Sequence, residues 1–213
     1  MEPLYIGIIG DVVGSRLIPP QARSTLQRRM QKTLEDINGT FAPSLAAKFL
    51  ITVGDEFQGL LGDPVIIPKL IRELEVNLPT TRLRLGIGRG PLHTDLGDYA
   101  IAMDGPAWHA ARKALEEAKV GRRFGGVFVG FGATEDRILN GMARVLHHVR
   151  SHLTAKQREL LEALLQNGTQ TEIASREGIS KQAVSKQARS AGLEAYKEAE
   201  EAWRLILTAF RQT

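Results

Sequence analysis

The sequence predicts an α+β protein: an antiparallel, ferredoxin-like sheet domain over residues 1–134, a helical connector over 135–150, and an all-helical module over 151–213. Three observations lead there. Short β-branched runs alternate with helically spaced apolar residues through the first two-thirds of the chain. Past Glu135 only the helical period remains. A compact two-helix pattern, QTEIASREGISKQAVSKQARSAG, then fills the last third.

The elements follow in order. Leu4 to Ile9 is an apolar strand that stops at Gly10-Asp11. Pro19-Pro20 opens a helix carrying Leu26, Met30, Leu34 and Ile37, and Asn38-Gly39 with Pro43 marks its end. Phe49 to Val53 and Phe57 to Leu61 flank Gly54-Asp55-Glu56 as a hairpin. Asp63-Pro64 starts a second helix with Ile67, Leu70, Ile71 and Leu74 inward. A strand at Leu83 to Ile87, a glycine-rich turn, a short strand around Tyr99 to Met103, a helix from Pro106 to Lys119 and a strand from Gly125 to Phe131 complete the domain. The order β-α-β-β-α-β with additions is the ferredoxin-like plan, an antiparallel sheet with helices on one face.

The helical module begins with Thr154 as N-cap of a helix closed by Asn167-Gly168. The following pattern has the spacing of a helix-turn-helix. Ala174 is small where a second helix crosses, Gly178 suits a positive φ in the turn, and Ile173, Ile179 and Val184 form the inner core. Ser180 is the expected N-cap of the second helix. That helix presents Lys181, Gln182, Ser185, Lys186 and Arg189 outward, with Gln and Lys suited to base edges and Lys186 and Arg189 to phosphates of double-stranded DNA. The alternative is a three-helix module for protein contacts. Leu193 to Phe210 reads as one helix whose apolar stripe packs on the module or pairs with a second protomer, as a homodimer on two half-sites requires.

Composition excludes more than it selects. The apolar fraction of 43% and charged fraction of 24% are those of an ordinary globular chain. With no cysteine there is no disulfide, no thiolate metal site and no cysteine nucleophile. The N-terminal stretch MEPLYIGIIGD lacks the positive start of a signal peptide, and no apolar run is long enough to span a bilayer, so the cytoplasm is the expected location. The net charge of +4 is spread over both parts, 9 basic against 8 acidic residues after Ser151 and 19 against 16 before it. Any DNA-binding face therefore depends on placement of charge. Walker A, nucleophile-elbow and dinucleotide fingerprints are all missing from the sequence.

Two acidic motifs, IIGDVVGS and ITVGDEFQGLL, put Asp11 and Asp55 at neighbouring strand ends. A magnesium or manganese ion takes one or two carboxylates together with phosphate oxygens. The loop with Val13, Gly14 and Ser15 offers backbone N–H groups to phosphate. The alternative is that both aspartates only cap turns. His109 is read as packed in preference to a general base, and Arg112 either binds a ligand or pairs with Glu116 at i,i+4 spacing.

GDVVGS, GDEFQGLL, RLRLGIGRG and DGPAWHAARKAL resemble segments of the class III nucleotide cyclase domain, and together with a following helix-turn-helix they resemble the SatD family over nearly the whole chain. The helical module resembles sigma-factor region four. The cyclase resemblance implies that Asp11 and Asp55 hold metal and that Arg112 binds phosphate. Two positions depart from it: Ile51 stands where those cyclases have a purine-reading lysine, and Trp108 where they have an asparagine. An apolar Ile donates no hydrogen bond to a base. The resemblance thus implies a cyclase-like sensing or dimerisation domain that binds a metal-nucleotide, with Trp108 stacking on the base. The resulting expectation is a DNA-binding regulator; the alternative is a divergent metal-dependent nucleotidyl cyclase or phosphoryl-transfer enzyme.

Overall fold

In the computed structural model, residues 2–78, 81–166 and 168–211 are described. The chain divides into two units: Met1–Arg144 with Arg204–Thr213, and Val145–Trp203.

The first unit is built on strands β1 (Tyr5–Val12), β2 (Leu45–Ile51), β3 (Phe57–Leu61), β4 (Leu83–Gly90) and β5 (Val127–Val129), with helices α1 (Pro20–Thr40), α2 (Ile67–Asn77) and α3 (Pro106–Val120). The sheet order is β2-β3-β1-β4-β5. The first four strands follow the ferredoxin-like order, with the apolar run of β1 in the middle. The expected all-antiparallel sheet needs correction. β4 and β5 pair in parallel, because a full helix, α3, carries the chain back across the sheet between them. Tyr99 to Met103 is likewise no strand: one bridge, Lys48 to Tyr99, is all that forms there.

Helices also cover both faces, where one was expected. Register shows why. Ile8, Gly59 and Ile87 lie directly opposite one another, and Ile87 approaches Ile71 of α2 beside Gly126. Gly7 and Gly88, one residue out of phase, point to the other face, against α3. On the first face α1 and α2 bury Met30, Leu34, Ile37, Ile67, Leu70, Ile71 and Leu74. On the second, α3 turns Ala107, Ala111, Ala114 and Ala118 inward.

The glycines after Ile87 are therefore not a turn. β4 runs through to Gly90, and Gly86, Gly88 and Gly90 are its alternate residues facing α3. A Cβ on Gly88 falls 2.5 Å from the Ala107 carbonyl oxygen, and one on Gly90 falls 2.7 Å from the Ala107 nitrogen. Glycine in the strand and alanine in the helix let two backbones meet where larger residues hold them apart.

Both outer strands are closed by the same device. The Asn38 amide bonds the N–H and C=O of Phe49 on β2, at 2.7 and 2.9 Å. Asn140 does the same to Phe128 on β5, at 2.7 and 3.0 Å. A carboxamide mimics the peptide of a further strand and blunts the edge. This also explains why α1 runs through Asn38-Gly39 to Thr40: the asparagine is spent on the sheet and does not stop the helix.

Helix α4 (Ala133–His152) leads into α5 (Ala155–Leu165), α6 (Gln170–Glu177), α7 (Lys181–Ser190) and α8 (Leu193–Thr208). Thr154 caps α5 in a reciprocal box with Gln157, as the sequence predicts, and Thr169 caps α6 with Glu172. Asn167, expected in the closing turn of α5, lies outside the described residues. Within the second unit Arg150 donates to the Tyr196 hydroxyl at 2.7 Å, which donates to Glu200 at 2.7 Å. Burial pushes the Tyr196 hydroxyl well above its usual pKa, so it stays a donor. The tail differs from the expected 151–213 module. Residues 204–213 group with the sheet unit: Phe210 meets Phe131 edge-on at 5.2 Å and Arg89 at 5.1 Å, and Arg211 bonds Asp63 at 3.0 and 2.7 Å.

Gly88→Ala should cost about 3 kcal/mol, the upper part of the usual range for overpacking. Chemical denaturation measures it; a loss under about 0.5 kcal/mol, typical of an exposed site, is incompatible with the close contact.

Candidate functional site

Charge gathers where β1 ends, around the β2–β3 turn. Asp11 is the last but one residue of β1 and lies opposite Arg84 on β4. The residue is only 8% exposed, and its carboxylate is held on both oxygens by Arg84, at 2.7 and 3.0 Å. Lys119 of α3 stands 3.7 Å from the same carboxylate and 2.7 Å from Glu116. Asp55, in the turn, accepts the Val12 N–H at 3.1 Å. Next to it Glu56 and Arg112 face each other in a two-point pair, 2.7 Å on each arm.

The bond from Arg112, aided by the charges of Arg112 and Lys119, holds the Glu56 carboxyl below its usual pKa despite partial burial. The same bond raises Arg112. A folded carboxyl held below its unfolded value stabilises the fold above the ordinary carboxylate range and loses that contribution as pH falls through the folded value. Asp63 adds to the trend: burial raises it, but Arg211 and the Val65 N–H together pull it down.

The sequence-predicted residues are distributed as follows. Asp11, Asp55 and Arg112 come to one end of the sheet, while Arg84, Lys119 and Glu56 were missed as partners. Arg84 alternates in phase with the β4 glycines, but only the β1–β4 register reveals that it faces Asp11. Arg112 pairs with Glu56 instead of Glu116. The Val13 N–H is committed to the Arg82 carbonyl at 2.8 Å, which removes it from the expected phosphate loop. Gly14 has the left-handed φ of 75°, and Ser15 opens a short 3-10 turn. Trp108 also needs correction. It is 7% exposed, packed with Ile9, Leu60 and Leu115 over Gly7, so its ring offers no stacking face, and its indole N–H has no partner among the described residues. His109 is exposed, not packed, 2.9 Å from Asp104.

Beside Asp55 lies a cleft of about 330 Å³ lined by Ser15, Arg23, Leu26, Gln27, Met30, Val53 and Gly54. As a metal ligand Asp55 fits, since one of its oxygens takes no bond among the described residues. Asp11 fits only by exchange, because a cation there displaces Arg84. No group of three or more metal-ligating side chains occurs among the described residues. A phosphate-bridged ion does not need three.

In the helical unit, α6 ends at Gly178, whose φ is 65°, and Ser180 caps α7 through the Ala183 N–H at 3.1 Å. Ile173, Ala174, Val184 and Ala188 are buried. Ile179, expected in that core, is 39% exposed on the turn. Lys181, Gln182, Lys186 and Arg189 are exposed, and Ser185 is half-buried.

These features define an α+β protein with a charged pole on a ferredoxin-like sheet and a separate helical unit. The chain belongs to the SatD family, whose model matches residues 5–206. Among solved structures, the catalytic core of a rhodopsin-guanylyl cyclase with converted specificity, in complex with ATPalphaS, is similar at 12% identity and a TM-score of 0.37. The similarity covers 52% of this chain and 71% of that one, and likeness at this level decides nothing about activity. No curated protein matches the chain. No helix among the described residues is long and apolar enough to cross a membrane.

Arg84→Met leaves the Asp11 carboxylate short of its main partner and should cost about 2 kcal/mol, less than a fully buried pair because both side chains keep some solvent. Equilibrium unfolding at neutral pH tests this. Stability of the wild type should also fall between about pH 5 and pH 3, and Glu56→Gln with Asp63→Asn should flatten that slope; an unchanged slope counts against these pairs as its source.

Proposed function

We propose that this protein is a DNA-binding regulator whose sheet unit binds a nucleotide-type ligand. The observation that carries the first half is α7: capped by Ser180, rooted by Val184 and Ala188, and presenting Lys181, Gln182, Lys186 and Arg189 to solvent. The turn at Gly178 before it supports reading α6 and α7 as a helix-turn-helix with α7 as the recognition helix. Gln182, near the N-terminal end, is placed for base edges; Lys186 and Arg189 suit phosphates. A homodimer supplies two such helices for two half-sites. The sheet edges closed by Asn38 and Asn140 direct such pairing to other surfaces than strand addition.

The ligand half rests on the cleft beside Asp55 and on the loop of Gly14 and Ser15. Asp55, and Asp11 once released from Arg84, hold magnesium or manganese against the ligand phosphates in this reading. The same cleft and carboxylates favour a second reading, a divergent nucleotidyl cyclase or other phosphoryl-transfer enzyme. Turnover of a nucleoside triphosphate that is lost in Asp55→Ala selects it.

DNA fragments from the gene's own neighbourhood should bind more tightly than random duplex in a fluorescence anisotropy titration. Equal affinity for all duplexes, or none, removes the regulator reading. Lys186→Ala should weaken all duplexes alike and lower the salt slope by about one, whereas Gln182→Ala should relax base preference at a cost of about 1–3 kcal/mol on the specific site.

A further inference from the structure

Beside Asp55, the charged pole contains three cations, Arg84, Arg112 and Lys119, and three carboxylates paired to them, Asp11, Glu56 and Glu116. The six neutralise one another, and Asp55 leaves the pole one charge negative. An anion gains little at such a cluster until one carboxylate leaves, and the three differ in how readily they can. Asp11 is nearly buried on the central strand, with Arg84 on both oxygens. Glu116, the most exposed of the three, is held by Lys119, so its departure leaves both arms of Arg112 covered. Glu56 lies in the β2–β3 turn, and its backbone bonds, Thr52 N–H to its carbonyl at 2.8 Å and its own N–H to Val53 at 3.0 Å, do not involve the carboxylate.

We propose that Glu56 is an internal competitor for phosphoryl oxygens at Arg112, a carboxylate plug that a phosphate-bearing ligand displaces on binding. The inference rests on the reading that the sheet unit takes a nucleotide-type ligand. Glu56 occupies both arms of the guanidinium in the two-point geometry that arginine also offers to phosphate. The Arg112 side chain is 45% exposed and that of Glu56 24%, so an entering phosphate reaches the guanidinium from solvent and exchanges one two-point pair for another without opening the core. Removal of the plug leaves three cations against Asp11, Glu116 and Asp55, a pole neutral where it had been one charge negative, with the guanidinium of Arg112 uncovered. The plug thus sets a threshold: weak anions leave Arg112 on Glu56, whereas a polyphosphate with other anchors in the cleft takes it over.

Isothermal titration calorimetry of the full-length chain with pyrophosphate, and separately with ATP, each with magnesium, tests this. Glu56→Gln should bind at least one of the two about tenfold more tightly than wild type, and adding Arg112→Ala should remove that gain. Gain with both probes assigns Arg112 to the phosphate chain alone; gain with ATP only adds the nucleoside as an anchor. Glu117→Gln removes one charge from α3 elsewhere and should leave affinity unchanged, and equal tightening by it reduces the effect to general charge and overturns the plug. If wild type binds and Glu56→Gln binds no tighter, the plug fails while the nucleotide reading stands. If neither binds either probe, both fail. Circular dichroism and a thermal melt of Glu56→Gln establish that the hairpin has folded.

Discussion

The close approach of β4 to α3 is the constraint on which the first unit depends. Beyond Arg84, Gly86, Gly88 and Gly90 leave one face of the strand without side chains, and Ala107 and Ala111 remove bulk from the facing helix. No larger pair of residues lets two backbones meet this way. The seam fixes α3 both along and about its axis. Residues one helical step apart then have set destinations: Trp108 goes into the core over Gly7, and Arg112, Glu116 and Lys119 line up toward the charged pole. The same helix makes the parallel return from β4 to β5.

The pole that results is built of two ion pairs that differ in exposure. A cross-strand pair of opposite charges, Asp11 and Arg84, sits at the least exposed point, where losing either partner is expensive. A more exposed pair joins Glu56 of the turn to Arg112 of α3. The two pairs have similar geometry and differ in solvent exposure. A cation aimed at Asp11 must displace a guanidinium, whereas Asp55 keeps an open oxygen next to the cleft.

In the helical unit most of the order is local. Thr154, Thr169 and Ser180 each satisfy an N-terminal N–H two or three residues ahead, and Gly178 takes the left-handed conformation that ends α6. The buried chain Arg150–Tyr196–Glu200 is long-range, tying α4 to α8 across 46 residues of sequence. Longer-range still is the tail. Phe210 and Arg211 group with the sheet unit, so the chain enters the helical unit, residues 145–203, within α4 and leaves it within α8.

The sequence by itself determined the α+β class, the order of β1 to β4, the helices and the caps at Thr154 and Ser180, because these depend on period, turn residues and side chains three or four positions apart. It located Asp11, Asp55 and Arg112 and the exposed row on α7. Tertiary structure decided what these residues touch. Only the β1–β4 register puts Arg84 on Asp11, and only the glycine seam buries Trp108, a residue whose type suits a core or a stacking platform equally. Glycines that read as a turn became a packing face, Asn38, which read as a helix stop, became an edge-strand cap, and the tail left its expected module for the sheet. Each of these reversals depends on a partner far away in the chain, and a local pattern carries no information about that partner.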